Sequence, residues 1–349
     1  MKIIFLQKST KYSGAENIVL QLMSLLPPEY ETYYVSPNGP IKKVVEESGL
    51  NFVALGKPNL LNVKKVIKQL HPDIIHANDF TMSVLAAFAS GKIPVISHLH
   101  NDPSWIKNPL DIKSILYALT LPFIKKVITV SNSIEKEYAY SFLMKQKNVI
   151  INNIVNIPRI IKKSKSSELN TIDNFDLVLI GRLTEQKNPI FFCKIVKEIK
   201  IKYPNIKAVI IGEGELKEKI QLFIRQNSLS NNIKLLGFKK NPYPYIRKSK
   251  IGVMPSIYEG FGLVAVEMLG LGKPVVCSNV GGLQNIVTDE CGRVCTSFKD
   301  YIDEIEKLLS DSKYYNMKAM YAVKRSKKYA DINNFKNNFL KVYKEVNAE

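Results

Sequence analysis

Residues 251–278 constrain the fold of this chain more than any other stretch. Residues 251–254 read as a short apolar strand and 255–262 as a loop holding Gly260 and Gly262. Residues 263–271 read as a helix closed by Gly272 and Pro274 before a further apolar strand. A loop that feeds a helix leaves backbone N–H groups unpaired at the positive end of the helix dipole, and the two glycines let a ligand come close to them. The place suits an anion. Two carboxylates flank it, Glu259 before the helix and Glu267 eight residues later. Carboxylates bind phosphate poorly and accept well from sugar hydroxyls, and a helical side chain at 267 points back toward the loop. A ligand carrying a diphosphate and sugar hydroxyls satisfies both observations. The alternative for Glu267 is an ordinary solvated helix position, against which its neighbours Val264, Ala265, Val266, Met268, Leu269 and Leu271 leave almost no polar face.

The same alternation runs through the whole chain of 349 residues, a length that implies two domains. In the first half, strands are expected at 2–6, 33–36, 52–55, 72–79, 94–102, 127–130 and 149–153. Helices are expected at 17–26, 40–48, 62–70 and 133–140, the last capped by Ser131. Polar residues gather at two strand ends. His76 and Asn78 close one, with His76 readable as a cleft residue or as a core histidine, and His98 and His100 close the next. Ligands of open parallel sheets sit beyond the carboxyl ends of strands, which makes His76 and Asn78 site candidates, while His98 is read as structural. The stretch 105–126 holds apolar residues flanked by lysines and reads either as a core helix or as an interfacial one. Asn153 is read as tolerating a positive φ. The first domain is placed at 1–160 and a polar, charged linker at 161–174.

The second domain, 175–331, opens with a strand running into Gly181-Arg182 and then Lys187-Asn188-Pro189, with Pro189 starting a helix. Arg182 offers a planar fork and Lys187 a compact charge, a combination suited to diphosphate. Further strands are expected at 206–211 and 233–237 and about 276, each followed by a glycine turn. Helices are expected at 300–309 and 314–347. Strands alternating with helices in both halves imply an α/β protein of two doubly wound parallel sheets.

Glu259 to Glu267 with its Glu-Gly-Phe-Gly-Leu core, and Gly-Arg-Leu followed by Lys187-Asn188, resemble the retaining glycosyltransferases of family 4 over nearly the whole chain. The resemblance implies the GT-B fold, two Rossmann-like domains facing across a cleft, with the first on the acceptor side and 332–349 as a C-terminal helix packing back on that first domain. It implies transfer of a hexose from a nucleoside-diphosphate sugar, taken as UDP-linked, to a hydroxyl of a glycan or lipid-linked acceptor in cell-surface polysaccharide synthesis. By that resemblance His100 lines the sugar pocket, Arg182, Lys187 and the amides at Gly260, Phe261, Gly262 and Leu263 hold the diphosphate, Glu267 holds the ribose and Glu259 the donor sugar. No cofactor and no catalytic metal are implied. The loop at Gly14 corresponds to a Gly-Gly-x-Glu loop of the family, with Ser13 in place of the first glycine, so a side chain limits approach to that backbone.

Composition adds little beyond charge. No apolar run approaches the roughly 20 residues that span a bilayer, and residues 2–6 begin directly as a strand without a signal-peptide pattern, so a cytoplasmic protein is expected. The four cysteines lack a CxxC pair and read as buried hydrophobes. A net charge of +19 points to an anionic partner, such as the inner face of the cell membrane with the enzyme peripheral on it, although an A/T-rich genome yields the same lysine excess by drift. Two rivals are a GT-B sugar-nucleotide epimerase, which needs no acceptor, and a basic nucleic-acid-binding protein. The chain lacks the interleaved aromatics and motifs of the latter, so no nucleic acid is expected.

Overall fold

The computed structural model describes residues 1–166 and 171–348. They form two compact units, one of residues 1–154 together with 332–349, the other of residues 155–331.

The first unit is a seven-stranded parallel sheet. Its strands are β1 (Lys2–Leu6), β2 (Glu31–Ser36), β3 (Asn51–Ala54), β4 (Ile74–Asn78), β5 (Val95–Leu99), β6 (Lys126–Thr129) and β7 (Asn148–Ile150), in the order β3-β2-β1-β4-β5-β6-β7. β1 is apolar from Ile3 to Leu6 because helices cover both faces of a parallel sheet, and every residue of β4 and β5 is buried, the polar His76, Asn78, Ser97 and His98 included. β1 lies between β2 and β4, with Ile4 opposite both Tyr33 and Ile75. Strand order therefore reverses at β1 and β4, where a crevice opens beyond their carboxyl ends.

The second unit repeats the plan with six parallel strands: β8 (Phe175–Ile180), β9 (Ala208–Ile211), β10 (Ile233–Leu235), β11 (Ser249–Met254), β12 (Val275–Ser278) and β13 (Gly292–Cys295). Their order is β10-β9-β8-β11-β12-β13. The reversal falls between β8 and β11, which pair with Ile251 opposite Leu177. Its core is the expected aliphatic one, with Cys193, Cys277, Cys291 and Cys295 buried as free thiols.

Several expectations are corrected. Residues 157–164 form a helix, Ile157–Ser164, started by Pro158 and capped by the Asn156 side chain, where a linker was expected from residue 161; residues 167–170 of that linker lie outside the described residues. These helical residues belong to the second unit, and Gly270 packs directly on Ile157. The helix expected at 133–140 ends at Glu137, and Asn132 rather than Ser131 holds its N-cap position. Asn153 does not take a positive φ; the described non-glycine residues that do are His71, Asp79, Asn188 and Ser228. The helix expected over 314–347 is two, Ser312–Ser326 and Ile332–Ala348, separated by a short 3-10 turn.

Candidate active site

In the second unit the loops after β8 and β11 bring together most of the expected diphosphate and sugar residues. Thr184 starts a 3-10 turn over Glu185–Lys187, and Asn188, at φ 50°, turns the chain into helix Pro189–Lys202. That turn aims the Lys187 ammonium at the Glu259 carboxylate, and the two form an ion pair with side chains only 15% and 11% exposed. Ser256 Oγ donates to the same carboxylate oxygen at 3.3 Å. Gln186, which the sequence reading overlooked, ties the two loops. Its Oε1 accepts from Arg182 at 3.0 Å, its Nε2 donates to Tyr258 O at 3.2 Å, and its carbonyl accepts from Ile257 N–H at 2.8 Å. Arg182 is thus held by one contact and otherwise exposed. A Gln between an Arg and a Lys carries no pattern of its own, and only the fold shows what it bridges.

The glycine loop closes the site. Gly262 sits at φ 103° as the N-cap of helix Leu263–Gly270, with no side-chain cap, so the first helical amides are left to a ligand or solvent. Phe261 is buried edge-to-face on Tyr329 and anchors the loop from below. Gly282 approaches so closely that a Cβ there would lie 2.4 Å from Phe261 O, and its N–H donates to Glu259 O at 2.9 Å. Gly260, Gly262 and Leu263 therefore share one turn with Glu259.

Glu267 lies on the same helix, half-buried, and its Oε1 accepts from the Tyr243 hydroxyl at 3.0 Å. Burial pushes its carboxyl up to about 7, against the pull of the Tyr243 bond and of nearby Lys163. Lys163 is itself pushed down by burial and by Arg159 and Lys240. It lines a basic cavity of about 520 Å³ with Lys239, Lys240, Asn241 and Tyr245. Tyr243 and Lys163 were not anticipated, because one stands in a Pro-rich turn and the other in what reads as linker.

In the first unit the polar residues collect where β1, β4 and β5 end. Gly14 is the first residue of helix Gly14–Leu25, whose N-cap Ser13 is extended at φ −144°. A side chain at 13 is therefore accommodated without backbone strain, and the Ser13 hydroxyl bonds the buried Glu16 carboxylate. Asp79, at φ 96°, caps helix Phe80–Ala89, and burial pushes its carboxyl up to about 6. His100 lies just past β5, 7% exposed, with Nε2 3.1 Å from Asn78 Oδ1 and Nδ1 buried without a partner among the described residues. His76 resolves as a core residue. It is fully buried, stacked on Phe5 and Phe339, with both ring nitrogens engaged.

Two doubly wound parallel sheets, each with polar side chains gathered at its reversal of strand order, define the GT-B class of α/β protein. Comparison with known proteins agrees. Residues 12–159 match Glycosyltransferase Family 4 and residues 160–325 match Glycosyl transferases group 1. An uncharacterized glycosyltransferase of Methanocaldococcus jannaschii is 32% identical over 254 residues, 70% of this chain and 67% of the relative. Another from that organism is 32% identical over 235 residues, 62% of this chain and only 58% of the relative. The N-acetylgalactosamine-N,N'-diacetylbacillosaminyl-diphospho-undecaprenol 4-alpha-N-acetylgalactosaminyltransferase of Campylobacter jejuni is 25% identical over 287 residues, 76% of this chain and 77% of the relative. Among solved structures, HepE of Anabaena in complex with UDP and glucose superposes with a TM-score of 0.84 at 21% identity over 99% of both chains. This chain belongs to the family 4 glycosyltransferases, group 1.

Proposed function

We propose that this chain is a retaining hexosyltransferase that moves a sugar from a UDP-linked donor to a hydroxyl of a lipid-linked glycan in cell-surface polysaccharide synthesis. The observation that carries the reading is the Lys187–Glu259 pair, set by two loops at the β8/β11 reversal beside an uncapped helix start. A diphosphate docked there meets two cations and helix amides, which stabilise charge as it develops on the leaving group, so no divalent cation is required for departure. Donor binding draws Lys187 toward phosphate and frees Glu259 to accept from hydroxyls of the donor sugar. Glu267 receives the ribose hydroxyls, and His100 bonds a sugar hydroxyl through its unpartnered Nδ1. With no carboxylate assigned as a nucleophile, attack proceeds on the face the diphosphate leaves, through a short-lived oxocarbenium-like state.

The names of the relatives support the acceptor class, since the Campylobacter enzyme and an E. coli alpha-1,3-galactosyltransferase, 23% identical, both act on diphosphoundecaprenol-linked sugars. So does the surface of the first unit. Helix Ile112–Thr120 buries Tyr117 and Ala118 on one side and exposes Ile112, Leu116 and Leu119 on the other, a spacing that Phe123 continues. Leu110 beside them is 84% exposed. An apolar helical face rimmed by lysines suits the anionic inner leaflet, where the acceptor's lipid resides, and places the enzyme as a cytoplasmic peripheral protein. No described helix is long and apolar enough to cross a membrane.

The test is slow donor hydrolysis measured against a panel of labelled nucleotide sugars, which needs no acceptor. One nucleotide sugar consumed, with loss of that activity in Lys187→Ala, supports the reading. Interconversion of donor sugars without release of nucleotide would assign an epimerase instead.

A further inference from the structure

Behind His100 lies a buried hydrogen-bonded set that the proposed transfer does not use directly, made of Asn78 on β4, His98 on β5, His76 on β4 and Tyr343 on helix Ile332–Ala348. Proton positions in it follow from counting donors and acceptors. Asn78 Nδ2 lies 3.4 Å from Leu6 O and 3.3 Å from His76 O, and carbonyls only accept, so the amide nitrogen faces them and Oδ1 faces His100. The 3.1 Å contact from Oδ1 to His100 Nε2 then requires the proton on Nε2. A neutral ring with its proton there carries a lone pair on Nδ1, the buried atom that has no partner.

The second chain of bonds runs from Tyr343 Oη to His76 Nδ1 at 2.8 Å and from His76 Nε2 to His98 Nδ1 at 3.1 Å. If Tyr343 donates, His76 carries its proton on Nε2 and donates onward, His98 carries its proton on Nε2, and that N–H is the one group of this chain of bonds without a partner among the described residues. If the polarity is reversed, both the Tyr343 O–H and the His98 Nε2 lone pair lie buried without partners among the described residues. A buried orphan costs roughly 1–3 kcal/mol, so the outward polarity holds. Burial keeps the three rings neutral, pushing His76 down to about 3, His100 to about 4 and His98 well below its ordinary value, and it pushes the Tyr343 phenol up, so that O–H is retained.

We propose that Asn78 is a positioning residue that locks His100 with its proton on Nε2, so that Nδ1 stays an acceptor for one sugar hydroxyl, while Tyr343 fixes the tautomers of His76 and the fully buried His98 behind it. His100 Nδ1 has no partner among the described residues, and a hydroxyl can donate to it. Naming the ligand as a sugar hydroxyl rests on the transferase reading; the tautomers do not.

Nitrogen-15 NMR of the histidine rings in the wild-type protein at neutral pH reads the tautomers without substrate. The expected spectrum shows all three rings neutral with the proton on Nε2. In Asn78→Ala the His100 signals should move toward a mixture of tautomers, with kcat/KM for the donor falling about tenfold, the worth of one neutral hydrogen bond. Tyr343→Phe keeps the ring and its packing, and should mix the His76 and His98 tautomers while leaving His100 unchanged. A proton on His100 Nδ1 in the wild type, or unmoved His76 and His98 signals in Tyr343→Phe, overturns the proposal. Unchanged kcat/KM in an Asn78→Ala protein whose His100 tautomer has shifted overturns the positioning role. Absence of any donor turnover by the wild type overturns the transferase reading alone, since the spectrum still decides the tautomers.

Discussion

Lys187 and Glu259 neutralise each other in a pair that is nearly out of solvent, so on the proposed reading a diphosphate competes for the ammonium. Lys187→Ala should lower transfer about 10²–10³-fold, the range for losing one preorganised charge at a leaving group, in a protein that still folds. Near wild-type turnover would remove Lys187 from the mechanism. Glu267→Gln should weaken UDP binding by about 1–3 kcal/mol through loss of charge-assisted bonds, read by calorimetry. The same substitution changes the pH dependence of stability. Burial raises the Glu267 carboxyl above its unfolded value to about 7, so the folded state holds the extra proton and this group's contribution fades as pH rises from about 4.5 to about 7. The mutant should therefore gain thermal stability relative to wild type between about pH 5 and about pH 8, by of the order of 1 kcal/mol after solvent screening. An equal difference in Tm at both pH values would show that Glu267 is not perturbed. Both glutamates and the lysine stand out in the sequence at strand and helix ends, with their roles supplied by the family resemblance. The bonds from Tyr243 to Glu267 and from Gln186 to Tyr258 were not legible, because hydrogen bonding between distant segments leaves no local periodicity.

Among the elements, helix Leu263–Gly270 shows what its start requires. Gly262 combines φ 103° with a Cβ position 2.7 Å from Leu283 Cδ2, so Gly262→Ala meets both strain and a clash. It should cost about 1–3 kcal/mol and lower Tm by several degrees, with UDP affinity falling as the loop shifts. An unchanged Tm would show that the loop accommodates a side chain. Helix Ile112–Thr120 was readable as apolar but not as core or interface. The structure packs one side of it and leaves the other bare, since the residues that cover a helix come from elsewhere in the chain.

For the whole molecule, a net charge of +19 has meaning only where cations are free and share a face. Lys126 pairs with Glu345 at 3.0 Å, Lys107 with Glu137 at 3.2 Å, and Lys147 donates to the carbonyls of Leu121 and Ile124. Lys113 is exposed beside the bare apolar face. Sedimentation should show the protein pelleting with anionic vesicles at low salt and releasing as salt rises, each engaged lysine adding about 1 kcal/mol. Lys113→Glu with Leu119→Glu and Phe123→Glu should abolish binding while donor hydrolysis persists. A protein that ignores anionic vesicles at low salt has its charge from composition alone, and its acceptor is then soluble.

The sequence by itself determined the two parallel sheets, because short strand patterns alternate with helical ones in both halves, and each such alternation implies a crossover between parallel strands. It also determined the two motif loops, whose residues are close in the chain as well as in space. The return of the last helix to the first unit was expected, and only the tertiary structure decided where the helix before it ends. From residue 293 onward there is no Gly or Pro to mark where the last long helix breaks, and the break is set by packing, with Tyr329 O accepting from Val155 N–H and the next helix burying Phe335, Phe339 and Tyr343 against the first unit's own sheet. His76 could not be assigned for the same reason. Its two partners stand 22 and 267 residues away, and whether a histidine at a strand end serves a ligand or a core depends on which distant side chains fill its hydrogen-bonding positions.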